Sequence, residues 1–226
     1  MPWIDGKDQF ADLPTVREPT ATSVLSGQIL PLDGEHRFDD VLLDGDEVSS
    51  GEFEELVIDS SIIRNLVLCP DGPVTLDASW CRFESSDLSR AEVHQLRSSR
   101  LSDCKLVGTD FSNAALTDVI FERCLISLAN FRMARLNRVR FKDCTLKELD
   151  AFEMVATDLT FDGSELNQVN VDRLNANRVD LRGARSLGLE GIGRLDGCLV
   201  AEHQLTDLIF QLAFAVGLGI ETIEIT

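Results

Sequence analysis

The apolar residues of this chain recur at every fifth position. Cut into fives from His36, the sequence reads HRFDD, VLLDG, DEVSS, GEFEE, LVIDS and SIIRN, with Phe38, Leu43, Val48, Phe53, Ile58 and Ile63 third in their blocks. The series continues through Leu68, Pro73, Ala78, Phe83, Leu88 and Val93, with Ser98 as a degenerate member, slips by two residues near Leu96, and resumes at Leu101, Leu106, Phe111 and Leu116. It then runs Phe121, Ile126, Phe131, Leu136, Phe141 and Leu146, passes Ala151 and Ala156, and ends on Phe161, Leu166, Val171, Ala176 and Leu181. Leu, Ile, Val and Phe make up 73 of the 226 residues, so 30 random places would hold about ten of them; these 30 third places hold 24. A period of five is neither 3.6 nor 2, which excludes both an amphipathic helix and an alternating strand. The chain must turn once per block. If four blocks close one coil, residues 20 apart stack at about 4.8 Å. Phe121, Phe141 and Phe161 then form one column, Phe111 and Phe131 another, and Leu106, Ile126, Leu146 and Leu166 a third.

The first place of each block is often small, as at Ser86, Ala91, Thr109, Ala114, Ala129, Ala134 and Ser164, which suits a crowded interior corner. Cys104, Cys124 and Cys144 share that place at intervals of 20, and a buried free cysteine packs as a small hydrophobe. Places four and five are mostly polar and are expected to face water. This pattern resembles the pentapeptide-repeat family, with consensus A(D/N)LXX: Ala129–Phe131 (ANF), Thr109–Phe111 (TDF), Ser86–Leu88 (SDL) and Val179–Leu181 (VDL) are close matches. The resemblance implies an all-β fold, a right-handed quadrilateral parallel β-helix. The expected organisation is a capping segment over 1–35, a solenoid over 36–183 with a frame slip near 94–99, and C-terminal turns, a helix and a tail over 184–226. In the first segment Trp3, Ile4, Phe10 and Leu13 are candidates to cover the open end of the first coil, since a solenoid end exposes core and strand edges.

Near the C-terminus the period changes. Leu205, Leu208, Ile209, Leu212, Ala213 and Val216 fall at i, i+3, i+4, i+7, i+8 and i+11, one face of a helix, while Phe210 and Phe214 lie on another. A terminal helix apolar on two sides has more surface to bury than one coil end accepts. The expectation is a cap that also joins two copies of the chain through Leu205, Leu208, Ile209, Phe210, Leu212 and Phe214.

Charge adds a second layer. There are 39 acidic and 21 basic residues, a net of −18, which argues against direct binding of nucleic acid or an anionic membrane. The N-terminal MPWIDGKDQF lacks the basic and apolar regions of a signal peptide, and no stretch is long and apolar enough to suggest a span, so a cytoplasmic protein is expected. Six cysteines without CxxC, and three scattered histidines, give no disulfide framework or metal cluster. No catalytic motif stands out: Ser102-Asp103-Cys104-Lys105 matches SxxK only inside a regular block. The reading is a non-enzymatic protein without a cofactor.

By segment the net charges are −4 for 1–35, −9 for 36–98, −1 for 99–183 and −4 for 184–226. The first coils therefore carry the candidate partner-binding face: Asp39, Asp40, Asp44, Glu54, Glu55, Asp59 and Glu84 at places four and five, with Glu47, Glu52 and Asp87 at place two. About 7.5 coils at about 4.8 Å make a rod of roughly 36 Å. Two joined end to end approach the length of some 20 base pairs at about 3.4 Å each. Within the family, the quinolone-resistance and mycobacterial gyrase-inhibitor proteins resemble this chain in repeat length, acidity and C-terminal helix. That resemblance implies a DNA mimic that occupies the DNA-binding saddle of DNA gyrase, a type II topoisomerase, inhibiting it or protecting it from poisons. The alternative is an interaction scaffold for an unrelated protein. A basic cluster at Arg132, Arg135, Arg138, Arg140, Lys142 and Lys147 departs from a uniformly acidic mimic.

Overall fold

The computed structural model describes residues 24–25, 36–45, 47–49, 55–69, 74–193 and 195–218. The proposed N-terminal cap residues, Glu52 and Glu54, and the tail from Gly219 lie outside them. The described chain winds as a parallel β-solenoid whose neighbouring coils pair in register, Leu116 beside Leu136 beside Ala156 and Phe121 beside Phe141 beside Phe161. Four blocks make one coil, as the 20-residue offset requires.

Two local devices turn the chain, the first in about one block per coil. An Asp or Asn in second place accepts a hydrogen bond from the backbone N–H two residues on, as Asp110 does from Ser112 at 2.8 Å and Asn130 from Arg132 at 3.1 Å, closing a tight turn. The last residue of each block is then left-handed: Asn113, Asp118, Arg123, Leu128, Met133, Arg138, Asp143, Glu148, Glu153 and Asp158 have φ between 52° and 60°. Each such residue costs about 1–2 kcal/mol. The N–H groups it presents are bonded to the next coil, Asn113 to the Arg132 carbonyl and Arg123 to the Lys142 carbonyl, both at 2.9 Å. Burial of the third-place side chain supplies the rest.

The interior is built of stacked like residues. Phe111 and Phe131 lie parallel with ring centroids 4.5 Å apart, Phe121 and Phe141 at 4.9 Å, and Phe141 and Phe161 at 5.2 Å. Ser86, Cys104, Cys124, Cys144 and Ser164 fill one corner column, all buried, with the Cys144 N–H donating to Ser164 Oγ at 3.0 Å. Cys81, which carries no spacing signal, sits in a different corner and donates its N–H to Ser99 Oγ. Burial pushes the Cys81 thiol up to about 12; the hydrogen bond with the Cys104 sulfur, together with burial, does the same for Cys124. These thiols stay protonated at neutral pH.

The frame slip does not break the rod. Strand Glu92–Ser102 runs straight through it, and the register shifts between Val93 and Gln95, so that Leu96 enters the column between Ala78 and Leu116. One corner is simply two residues shorter. Strand stacking also continues past Gly183: Ser186–Glu190 pairs with the preceding coil and Cys198–Leu199 with Val179 and Asp180. The α-helix Leu205–Ala215, α1, follows a short 3₁₀ turn and rests against Ser186–Glu190.

Candidate acidic interaction face

The carboxylates predicted to recruit a partner divide according to what the rod places beside them. Glu84 receives Arg64 Nε and Arg82 Nε, both at 2.8 Å, and Asp44 accepts from Asn65 Nδ2 at 2.8 Å. Asp87 pairs with Lys105 Nζ at 3.0 Å; although burial opposes it, the hydrogen bonds from Ser89 and Lys105 hold its carboxyl below the usual range. These three are committed within the rod. Asp39 and Asp59 are different. They are register partners on adjacent strands, so two carboxylates stand one above the other, and neither makes an ion pair among the described residues. Glu55 likewise makes none, and Asp40 occupies the left-handed corner next to Asp39. Glu47 lies in strand Glu47–Ser49, below Val67.

Two residues of this face carry no signal in the repeat. Asp77 sits outward on the next strand, beside Val57, with Oδ1 buried and unpaired. Trp80 occupies the same left-handed corner column as Asp40 and Ser60, with φ of 59° and 43% exposure. A half-exposed tryptophan beside carboxylates is the kind of side chain that anchors protein interfaces. Its place-five position, normally polar, is the one clue in sequence.

Five of the six residues of the basic cluster are internally paired, Arg135 being the exception among the described residues. Arg132 pairs with Asp150 at 2.8 Å, Arg138 with Asp118 at 2.5 Å, Arg140 with Asp162 at 3.4 Å, Lys142 with Glu122 at 2.8 Å and Lys147 with Glu148 at 3.0 Å. Arg132 and Arg173 also lie over the Phe152 ring, at 4.4 and 5.3 Å. The near-neutral coils are thus neutral locally, and the excess negative charge remains on the coils before them.

At the other end, α1 buries one of its described side chains. Leu208 is 1% exposed, against 65% for Phe210 and 55% for Ile209; Leu205 and Leu212 are also exposed. The predicted interface residues are therefore split, Leu208 facing the rod and four others facing away. Gln204, which sequence reasoning passed over, is buried and donates Nε2 to the carbonyls of Leu181 and Ala184, both at 2.9 Å. Among the described residues, no group of three or more His, Cys, Asp and Glu is arranged to hold a metal, and no helix is long and apolar enough to cross a membrane.

The left-handed fifth place recurs from the first described coils onward and the Asx turn from Asp87, and the model of the pentapeptide repeat region matches residues 94–171. Residues 94–171 are a pentapeptide-repeat region. No curated protein sequence matches this chain. Solved structures similar to it include full-length QnrB1, a plasmid-mediated fluoroquinolone resistance protein, at 18% identity over 79% of this chain and 99% of that one, with a TM-score of 0.32. Another is HetL from the cyanobacterium Nostoc, a pentapeptide repeat protein involved in heterocyst differentiation regulation, at 14% identity over 76% and 92% of the two chains, also with a TM-score of 0.32. A third is the pentapeptide repeat protein Rfr23 from the cyanobacterium Cyanothece, at 15% identity over 51% and 64%, with a TM-score of 0.27.

Proposed function

We propose that this pentapeptide-repeat protein is a non-enzymatic cytoplasmic DNA mimic that binds the basic DNA-binding surface of DNA gyrase, inhibiting the enzyme or shielding it from poisons such as quinolones. The observation that carries this reading is the partition of charge along the rod. Coils from Asp103 to Asp180 pair most of their charges with one another, whereas Asp39, Glu55 and Asp59 make no ion pair among the described residues and are open to a basic partner. Fixed carboxylates on a stiff backbone lose little entropy on meeting a basic surface, which favours association. Trp80 supplies an apolar anchor at the same edge.

The test is a supercoiling assay with purified gyrase, run alongside quinolone-stabilised cleavage. Equimolar protein should inhibit the first or reduce the second. Replacing Asp39 and Asp59 together by Lys should weaken the effect by about tenfold or more, with the loss largest at low salt, because the contact is electrostatic. If equimolar protein alters neither reaction, the proposal fails.

The same reading assigns α1 to homodimerisation. Leu205, Ile209, Phe210 and Leu212 are too many exposed apolar side chains for one short helix to leave in water. Phe210→Asp should give a monomer by sizing with little change in the unfolding midpoint, since Phe210 is 65% exposed in its own chain. A dimer that survives Phe210→Asp and Ile209→Asp together would remove α1 as the interface.

A further inference from the structure

The core of a solenoid made of like residues does not by itself fix which coil stacks on which. Phe121 fits Phe161 as well as it fits Phe141, and Ile126 fits Leu166 as well as Leu146. A chain that skipped one coil during folding, looping out 20 residues, would still bury phenylalanine on phenylalanine and leucine on leucine. Something outside the core must reject that pairing.

Four surface columns of the coils from Asp103 onward alternate in character, on several edges at once. Along one corner stand Asp118, Arg138, Asp158 and Arg178, with Arg138 bridging Asp118 through Nε and Nη2 and Arg178 bridging Asp158 in the same way. Along the next corner stand Asp103, Arg123 and Asp143, with Arg123 holding Asp103 through two bonds of 2.7 Å. On the face between them Glu122 is followed by Lys142 and then Asp162. A further face carries Asp110, Asn130, Asp150 and Asn170, a carboxylate alternating with an amide, and Asn170 Nδ2 donates to Asp150 Oδ1 at 3.0 Å. In these four columns residues one coil apart are complementary, and residues two coils apart are alike.

We propose that these alternating columns set the coil register. Skipping the coil 123–142 would place Asp103 on Asp143, Asp110 on Asp150, Asp118 on Asp158 and Glu122 on Asp162 simultaneously. Exposed ion pairs contribute little to net stability, so adding stability is a weak reason for so consistent an arrangement. Repelling the alternative pairing is a stronger one, because like charges held on directly opposed positions of neighbouring strands are unfavourable at each site and the sites act together. The same rule opposes out-of-step stacking between two copies of the chain while both are folding.

The test uses the full chain refolded from urea at low salt, read by hydrogen exchange and mass spectrometry. Exchanging two charges, Arg138→Asp with Asp158→Arg, keeps composition and net charge but makes the corner attractive at 40 and repulsive at 20. Inverting the whole corner, Asp118→Arg, Arg138→Asp, Asp158→Arg and Arg178→Asp, preserves the alternation. A neutral corner is made by Asp118→Asn, Arg138→Gln, Asp158→Asn and Arg178→Gln. The inverted chain should refold to one protected population, as the unmodified chain does. The exchanged chain should show a second population, several-fold enriched, in which one contiguous stretch of about 20 residues has lost protection. The neutral chain, and the unmodified chain refolded in 1 M salt where the screening length is about 3 Å, should show the same second population at a lower level. A neutral chain and a high-salt refolding that both give a single fully protected population overturn the proposal, including in the case where the exchanged chain does not refold at all.

Discussion

Replacing Phe141 with alanine is expected to cost about 3–5 kcal/mol of stability, the range for truncating a buried aromatic. Phe141 is the middle ring of a three-ring stack, with Phe121 on one side at 4.9 Å and Phe161 on the other at 5.2 Å, and it is 2% exposed. Truncation opens a void that both neighbours line. The coil backbone cannot collapse into it, because Arg140 and Lys142 are bonded in register on both sides as parts of continuous strands. In a solenoid each coil contacts only its neighbours, so the loss falls on two successive interfaces and the rod is weakened at its waist. Phe161→Ala should cost less, since Phe161 ends the stack and is already 7% exposed. Urea unfolding measures both. Hydrogen exchange should in addition show protection falling first in the coils either side of Phe141, and equal costs for the two variants would contradict the stacked-ring account.

The stack was legible because identical residues at intervals of 20 announce their own contacts. Phe121, Phe141 and Phe161, and the cysteine column from Cys104 to Cys144, are local repeats whose closure needs no knowledge of the rest of the chain. The left-handed corners were less visible. Trp80, Leu128 and Met133 hold positive φ without being glycine or asparagine, because the winding of the coil, with backbone bonds to the next one, overrides their own preference. Charge was legible only as a sum. A net of −1 over 99–183 gives no hint that Arg138 meets Asp118 and Lys142 meets Glu122, since those partners are 20 residues apart and emerge only once the coil length is applied to the polar places as well as the apolar ones. Applied that way, most of the basic cluster becomes a set of internal pairs, and Asp39 and Asp59, which make no ion pair among the described residues, become the exception. The slip at Val93 was visible as a broken count, but its harmless outcome depends on Leu96 taking the place in the column that Ser98 would otherwise have occupied.

The helix shows the same limit and yields the second large expectation. Its apolar spacing is correct for a helix, and the structure gives one over Leu205–Ala215, yet spacing cannot say which of Leu205, Leu208, Ile209 and Leu212 turns inward. Geometry chooses Leu208, because Gln204 one turn earlier is pinned to the last coil by its bonds to the Leu181 and Ala184 carbonyls and accepts the Ala201 N–H at 2.8 Å. Leu208→Asp would place a carboxylate among core residues, at a cost of several kcal/mol if it stayed ionised and buried. The cheaper outcome is release of α1, which exposes Leu187 and Leu189 and the open edge of the final coil. The expected result is loss of exchange protection spreading inward from Ser186–Glu190, a lowered unfolding midpoint and a tendency to aggregate through the uncovered strands. Ile209→Asp, one residue away but 55% exposed, should leave the midpoint nearly unchanged. Gln204→Ala should fall between them, at about 1–3 kcal/mol, since it strands two buried carbonyls without introducing a charge. Equal midpoints for Leu208→Asp and Ile209→Asp would mean that α1 does not close the rod, and that the last coil is protected by some other contact.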